Sequence, residues 1–375
     1  MICRICGASL ALLLTLKDIP NAAQNLPSSI EESLLSKCDL KLCECDGCGL
    51  IQHPGEPVCY FRDVIRATAY SEEMKAFRIE QLEDFVKSYG LEGKSALEIG
   101  CGAGEYLSLL NAVGLKAVGI ESNSSNVEKC IKSGMQAAQG YIGDEARIEN
   151  LCKSSAFFSF NYFEHLPDLK NVLRNLKKYL KPDAIGLIEV PNFDMILQQK
   201  LLSELTLDHI FYFTQSTLEN TLSNCGFEII SCDRIWHDYI LSATVKMRRS
   251  TDIGNLANFK EKLNSSFEAF LSDKNEGKIA VWGAGHQSLT ILSMLSSDII
   301  KRIEFVVDSA PFKQGKFTPV TGLEIVSPKE FFSSNVEAVV VIAAAYNDEI
   351  AKLICRSNSD IMVGLLRDTF IEVVD

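Results

Sequence analysis

The sequence predicts an α/β protein in three parts: a small cysteine-rich N-terminal domain followed by two domains of alternating strands and helices. Three observations predict it. Cys-x-x-Cys-Gly occurs twice in the first fifty residues, as "CRICG" and "CDGCG". An apolar strand-like run breaks into glycines and passes into a helical pattern at two places, "ALEIGCGAGEYLSLL" and "IAVWGAGHQSLTIL". At 375 residues the chain is also too long for one ordinary core.

Composition narrows the setting. Apolar residues make up 47% and charged residues 23%, the balance of a soluble globular protein. A formal net charge of −12 argues against nucleic acid or an anionic membrane as partner. Thirteen cysteines in so long a chain fall well short of disulfide-scaffold density. The apolar run Ala8–Leu16 is far below the roughly 20 residues that span a bilayer and reads as a strand. A cytoplasmic protein with reduced thiols is expected.

The first part, residues 1–65, carries Cys3, Cys6, Cys45 and Cys48. In each half two thiolates converge from one tight turn, and the glycine that follows takes a backbone conformation closed to bulkier residues. Four sulfurs make a closed tetrahedral set, so a structural Zn²⁺ is expected rather than a catalytic one. Cys38 and Cys43 stand outside the knuckle register.

The second part, residues 66–250, opens with a helix over Met74–Tyr89. A buried strand, Ala96–Ile99, then runs into Gly100, Gly102 and Gly104, and a second strand, "AVGIE", ends at Glu121. Glycines let the backbone approach a ligand, and an acid ending the second strand can take both ribose hydroxyls, so a nucleoside cofactor is expected. Ser216 and Glu219 predict a capping box, Gly226 a helix stop, and Phe227–Trp236 with Tyr239–Met247 an antiparallel pair turning at His237-Asp238. The third part, residues 251–375, has a helical stretch over Asn255–Asp273 and then strand, Gly283-x-Gly285 and helix. Ser288 stands where a third glycine would complete a dinucleotide fingerprint, and Asp308 where an acid would meet a ribose.

"LEIGCGAGEY" resembles motif I of class I S-adenosylmethionine-dependent methyltransferases, and "GIES", "FNYFEHLPD" and "LKPDAIGLIEVPN" follow in that family's order. The resemblance implies S-adenosylmethionine as cofactor. Glu98, the three glycines and Glu121 would hold it, with Tyr141 and Ile142 flanking the adenine and Asn161 at the exit of the fourth strand. Over nearly the whole length, the chain resembles the three-domain sugar C-methyltransferases: a zinc-binding N-terminal domain, a class I methyltransferase core and a Rossmann-like C-methyltransferase C-terminal domain. "VVDSAPFKQGKFTPVTGLEIVSP" and "AAYNDEI" carry that likeness in the last part.

That family implies a nucleotide-linked deoxy or keto sugar as substrate, methylated at carbon after a base removes a proton beside the ketone. "TLDHIFYFT" resembles its acceptor-side segment. His209 would be the base, with Asp208 orienting it, and His165 and Tyr70 assisting. Tyr212, His237, His286 and Lys313 would face the substrate. The chain departs from the family at Thr206, where a helping tyrosine is usual, and at His286-Gln287-Ser288, where Ala-Lys-Gly is usual. O- or N-methylation of a similar nucleotide-activated sugar is therefore the second reading. A binding protein without chemistry and an NAD-dependent oxidoreductase stand behind it. The chain is expected to act as a monomer or weak homodimer.

Overall fold

A computed structural model describes residues 1–24, 26–62, 71–144, 148, 151–249, 251–272 and 277–374. The N-terminal apolar run extends as strand β1 (Leu10–Pro20), which pairs antiparallel with β2 (Lys37–Cys45), itself paired with β3 (Ile51–Gln52). The first long helix, Glu72–Ser88, starts where the Ser71 side chain accepts the Met74 N–H at 3.1 Å. Glu72 and Glu73 follow in its first turn, at the positive end of the helix dipole.

Five strands succeed it: β4 (Ser95–Ile99), β5 (Lys116–Glu121), β6 (Gln136–Gln139), β7 (Ser154–Phe160) and β8 (Leu180–Pro191). Then come β9 (Phe211–Tyr212), β10 (Phe227–Ile235) and β11 (Ile240–Met247). The central sheet has the order β10-β11-β8-β7-β4-β5-β6, with β4 to β8 parallel and β11 antiparallel between β8 and β10. β4 and β7 are buried at all but one residue each because both faces of a parallel sheet are covered. Successive strands are laid down on opposite sides of β4, so a crevice opens at the carboxyl ends of β4 and β7.

β9 does not join that sheet. It pairs antiparallel with β3, matching Ile51 to Tyr212 and Gln52 to Phe211, and completes the N-terminal sheet. The segments expected as domains 1–65 and 66–250 consequently fold as one compact unit, Met1–Ser250.

Thr251–Asp375 is a second unit. Its strands are β12 (Ile279–Trp282), β13 (Ile303–Val307), β14 (Ile325–Val326), β15 (Ala338–Val341), β16 (Met362–Arg367) and β17 (Phe370–Val374). They lie in the order β14-β13-β12-β15-β16-β17, parallel except for β17, with a switch point between β12 and β15. Among the described residues, no helix is long and apolar enough to cross a membrane.

Two local expectations are corrected. The cap of helix Gln215–Asn224 is Thr214 with Thr217, not Ser216 with Glu219. β9 delivers the chain extended as far as Thr214, so that hydroxyl is the one facing the free N–H groups. The stretch Asn255–Asp273 is two helices, Gly254–Ala257 and Phe259–Ser272, broken at Asn258, a weak helix former; Asp273 lies outside the described residues.

Phe211 is 1% exposed and packs 5.7 Å from the Phe213 ring. Phe211→Ala is expected to cost the 1–250 unit about 3–5 kcal/mol in urea denaturation while leaving the transition of the 251–375 unit in place.

Candidate active site

The turn after β4 approaches its surroundings too closely for side chains. Gly100 has φ +69°, and a Cβ there would lie 2.7 Å from the Tyr162 ring. Glu121 ends β5, 5% exposed, and its carboxylate accepts the Gly102 N–H and the Asn123 N–H, each at 2.9 Å. Each oxygen is thereby aimed by a backbone N–H. Glu98 is fully buried on β4, below the turn.

Tyr141 and Ile142 are buried after β6. The Tyr141 hydroxyl donates to Asp168, the Arg62 guanidinium lies 4.4 Å over its ring, and Phe61 meets it edge-on. Burial, helped by Asp168, pushes that phenol well above its ordinary pKa. Asn161 leaves β7 at φ +47°, and its Oδ1 is buried without a partner among the described residues. A cradle closed to side chains, an aimed carboxylate and an orphaned acceptor fit the nucleoside, ribose and ammonium of S-adenosylmethionine.

Beside this crevice lies an acid–base cluster. Phe163–His165 form a 3₁₀ turn, and His165 Nδ1 donates to the Asp208 main-chain carbonyl at 2.8 Å. A carbonyl only accepts, so the Nε2 of neutral His165 carries the lone pair. That Nε2 faces the buried Glu164 carboxylate at 3.8 Å, and the His209 ring stands 4.8 Å from the His165 ring, edge-on. Burial lowers the pKa of both imidazoles, and that of His209 is lowered further by the neighbouring His165. Glu164, His165 and His209 bring their ligand atoms within 4.8 Å of one another. Two neutral imidazoles against a buried carboxylate can accept a proton and shelter it.

Several expected roles change. The Asp208 carboxylate does not orient His209: it accepts the Tyr60 hydroxyl at 2.9 and 3.0 Å and the Ala23 N–H at 3.0 Å. Its contribution is the main-chain carbonyl that fixes His165. Burial and Asp208 push the Tyr60 phenol up to about 12. The Tyr212 hydroxyl is not offered to a substrate, because it donates to the Thr206 carbonyl at 2.7 Å and accepts the Thr206 N–H at 3.0 Å. Tyr70 lies outside the described residues. His237 is exposed at the β10–β11 turn, at φ +58°, edge-on to the Trp236 ring and gathered to neither imidazole by a described contact. Sequence patterns point to neither Glu164 nor Tyr60. Glu164 adjoins His165, but spacing does not show that the turn faces both side chains inward.

Cys3, Cys6, Cys45 and Cys48 bring their sulfurs within 4.8 Å of one another, with Cys6–Cys45 at 3.3 Å and Cys3–Cys48 at 3.8 Å. The N–H of Ile5 points at the Cys3 sulfur (3.4 Å), and those of Gly47 and Cys48 at the Cys45 sulfur (3.3 and 3.4 Å). The Gln52 amide reaches the Cys3 sulfur at 3.2 Å. Such donors favour thiolates, so this set could hold a soft divalent ion.

In the second unit, His286 and Lys313 line a cavity of about 610 Å³ with Gly283, Gly285, Asp308 and Tyr346. The Asp308 carboxylate accepts the Ala284 and Ala310 N–H groups, each at 2.9 Å, and pairs with Lys313 at 2.8 Å. The acid expected to meet a ribose is thus engaged by its own loop and a lysine.

A model of a methyltransferase domain matches residues 71–232, and one of the C-methyltransferase C-terminal domain matches residues 245–358. The C-methyltransferase NovU of Streptomyces niveus is 22% identical over 401 aligned positions, covering 93% of this chain and 90% of that protein. A ubiquinone biosynthesis O-methyltransferase of Actinobacillus pleuropneumoniae is 26% identical over 108 positions, covering 26% of this chain and 46% of that one. Among solved structures, an S-adenosylmethionine-dependent methyltransferase from Clostridium acetobutylicum is 12% identical and covers 50% of this chain and 96% of its own, at a TM-score of 0.38. Sheet order, glycine turn and the 71–232 match together define a class I S-adenosylmethionine-dependent methyltransferase. Its matches to a methyltransferase domain and, after it, to a C-methyltransferase C-terminal domain, with the likeness to NovU over 93% of its length, make the chain similar to C-methyltransferases.

Gly100→Ala is expected to weaken S-adenosylhomocysteine binding at least about tenfold in calorimetry. Gly93→Ala, equally strained at φ +68° but with nothing within 4 Å of the new Cβ, should leave it unchanged.

Proposed function

We propose that this enzyme methylates a carbon atom of a nucleotide-linked keto sugar, with His209 as base. The observation that carries the reading is the pair of neutral imidazoles held against Glu164 beside the glycine turn. S-adenosylmethionine supplies an electrophilic methyl group on sulfonium. Glu121 and the glycine turn hold its nucleoside, while Asn161 accepts from its ammonium. His209 takes the proton from the carbon beside the ketone, the electron pair of that C–H bond becomes the new C–CH₃ bond, and the S–CH₃ bond breaks with its pair left on sulfur as a neutral thioether. Glu164, through His165, favours the protonated imidazole that results. The cavity holding His286 and Lys313 supports nucleotide-type recognition in the second unit.

Transfer to a hydroxyl or amine of the same substrate class is the second reading. Thr206 favours it, since an aliphatic hydroxyl offers an enolate oxygen a weaker donor than the usual phenol, while His209 would serve either acceptor. In the first unit, Cys3, Cys6, Cys45 and Cys48 hold a structural Zn²⁺. Sulfurs 3.3 and 3.8 Å apart support this, being close to the roughly 3.8 Å that tetrahedral Zn–S bonds of about 2.3 Å require.

A panel of nucleotide sugars incubated with labelled methyl donor, read by mass gain and product NMR, tests the reading; methyl on oxygen or nitrogen would overturn the carbon assignment. On the acceptor found, His209→Ala should lower kcat about 10²- to 10⁴-fold. The acid limb of the wild-type rate profile should lie below pH 6.5, because the base has a lowered pKa and stays unprotonated further into acid. Full turnover by His209→Ala would refute the base assignment. Freshly purified protein should carry one zinc per chain by elemental analysis, and Cys45→Ser should lose it and unfold the 1–250 unit at lower temperature.

A further inference from the structure

Glu164, His165 and His209 meet in a way that hydrogen bonding between them does not account for. His165 donates from Nδ1 to the Asp208 carbonyl at 2.8 Å, so its Nε2 carries a lone pair. That lone pair faces a carboxylate oxygen of Glu164 at 3.8 Å, an acceptor turned toward an acceptor, and both residues are buried. The separation is too long for an N–H···O bond. It suits two ligands of one ion. Bonds of about 2.0–2.2 Å at a tetrahedral angle put nitrogen and oxygen roughly 3.4 Å apart, and wider angles stretch this to about 4.2 Å.

His209 supplies a third donor, with the ligand atoms of all three residues within 4.8 Å of one another. For one ion to touch all three, the widest gap must close by roughly half an ångström. His209 can make that move. It is partly exposed, and among the described residues its ring meets those of His165 and Tyr212 edge-on and makes no hydrogen bond. Two imidazoles and a carboxylate suit Zn²⁺, Co²⁺ or Ni²⁺, whereas Mg²⁺ and Ca²⁺ prefer oxygen ligands throughout. The bond from His165 Nδ1 to a carbonyl is also the kind that fixes the tautomer and orientation of a ligating imidazole.

We propose that Glu164, His165 and His209 form a second divalent-metal site, separate from the four cysteines, which holds Zn²⁺ in competition with the proton of catalysis. An ion there occupies the His209 lone pair, so the enzyme turns over only while this site is metal-free. Binding of the ion stands on the geometry alone. Its effect on turnover rests on the reading of His209 as the base.

The test is calorimetry with Zn²⁺ on the full chain, its four cysteines already saturated with zinc. Wild-type protein should take up one further equivalent of Zn²⁺ and none of Mg²⁺. His165→Asn, whose amide nitrogen can keep the donation to the Asp208 carbonyl, and Glu164→Gln should each weaken that equivalent at least about tenfold, with melting temperatures confirming the fold. Co²⁺ offered to wild type in place of the second Zn²⁺ gives a readout independent of any variant: it should absorb in the visible without a thiolate charge-transfer band, and such a band overturns the proposal. On an acceptor that the enzyme methylates, the rate should fall in step with occupancy and recover when a chelator removes the second ion. No second equivalent in wild type overturns the proposal, as does one that both folded variants bind as tightly as wild type. If wild type takes no second ion while His209→Ala is inactive, the metal site falls and the base reading stands. An ion that both variants lose, yet that leaves wild-type turnover untouched, overturns the competition and with it the role of His209 as base.

Discussion

The backbone pairing of β9 with β3 fixes the acid–base cluster. Two residues of strand, Phe211 and Tyr212, cross from the methyltransferase segment into the N-terminal sheet. The residues just before them are then held from three directions. The His53 N–H donates to the Ile210 carbonyl at 2.8 Å, the Ile210 N–H donates to the Glu164 carbonyl at 2.8 Å, and His165 Nδ1 donates to the Asp208 carbonyl. Main-chain bonds of this kind leave little freedom to the side chains between them. His209 is placed against His165 by backbone register, and the cysteine-rich meander supplies the strand on which that register depends. A structural metal there would act on catalysis without approaching the reacting atoms.

Charge is handled locally within a strongly acidic chain. Glu121 is tied to two backbone N–H groups, Glu189 to Arg78, and the Asp208 carboxylate to a phenol and an amide. The two imidazoles beside them are held neutral by burial. This suits a reaction that begins with a sulfonium cation and ends with a neutral thioether. A strongly anionic pocket would stabilise the starting donor more than the transition state, in which that positive charge is already fading.

The glycine turn and the paired cysteine knuckles were legible because each rests on backbone geometry that few residue types satisfy. Gly100 cannot carry a Cβ against Tyr162, and the four thiols meet because each knuckle turns tightly on itself. What the sequence hid were partners chosen by tertiary contact. Asp208 adjoins His209 in sequence, yet its carboxylate reaches Tyr60, far away along the chain. Tyr212 keeps the family's phenol, but Thr206 holds its hydroxyl through main-chain atoms, which no side-chain pattern encodes. Arg78 sits in a helix that reads as ordinary surface, and its burial follows only from Glu189 arriving on β8.

The two glycine turns show how little a shared motif settles. Both follow a buried strand and both have an acid at the end of the next strand, Glu121 in one and Asp308 in the other. Glu121 accepts one backbone N–H on each oxygen, from Gly102 and from Asn123. Asp308 binds its own loop at Ala284 and Ala310 and is neutralised by Lys313. A ribose meeting Asp308 would have to compete with an ammonium already 2.8 Å away. Ser288, where a third glycine would stand, is fully buried in the helix His286–Met294. The second turn thus keeps the architecture of a nucleotide fold while its acid stiffens the loop that forms one wall of the His286 cavity.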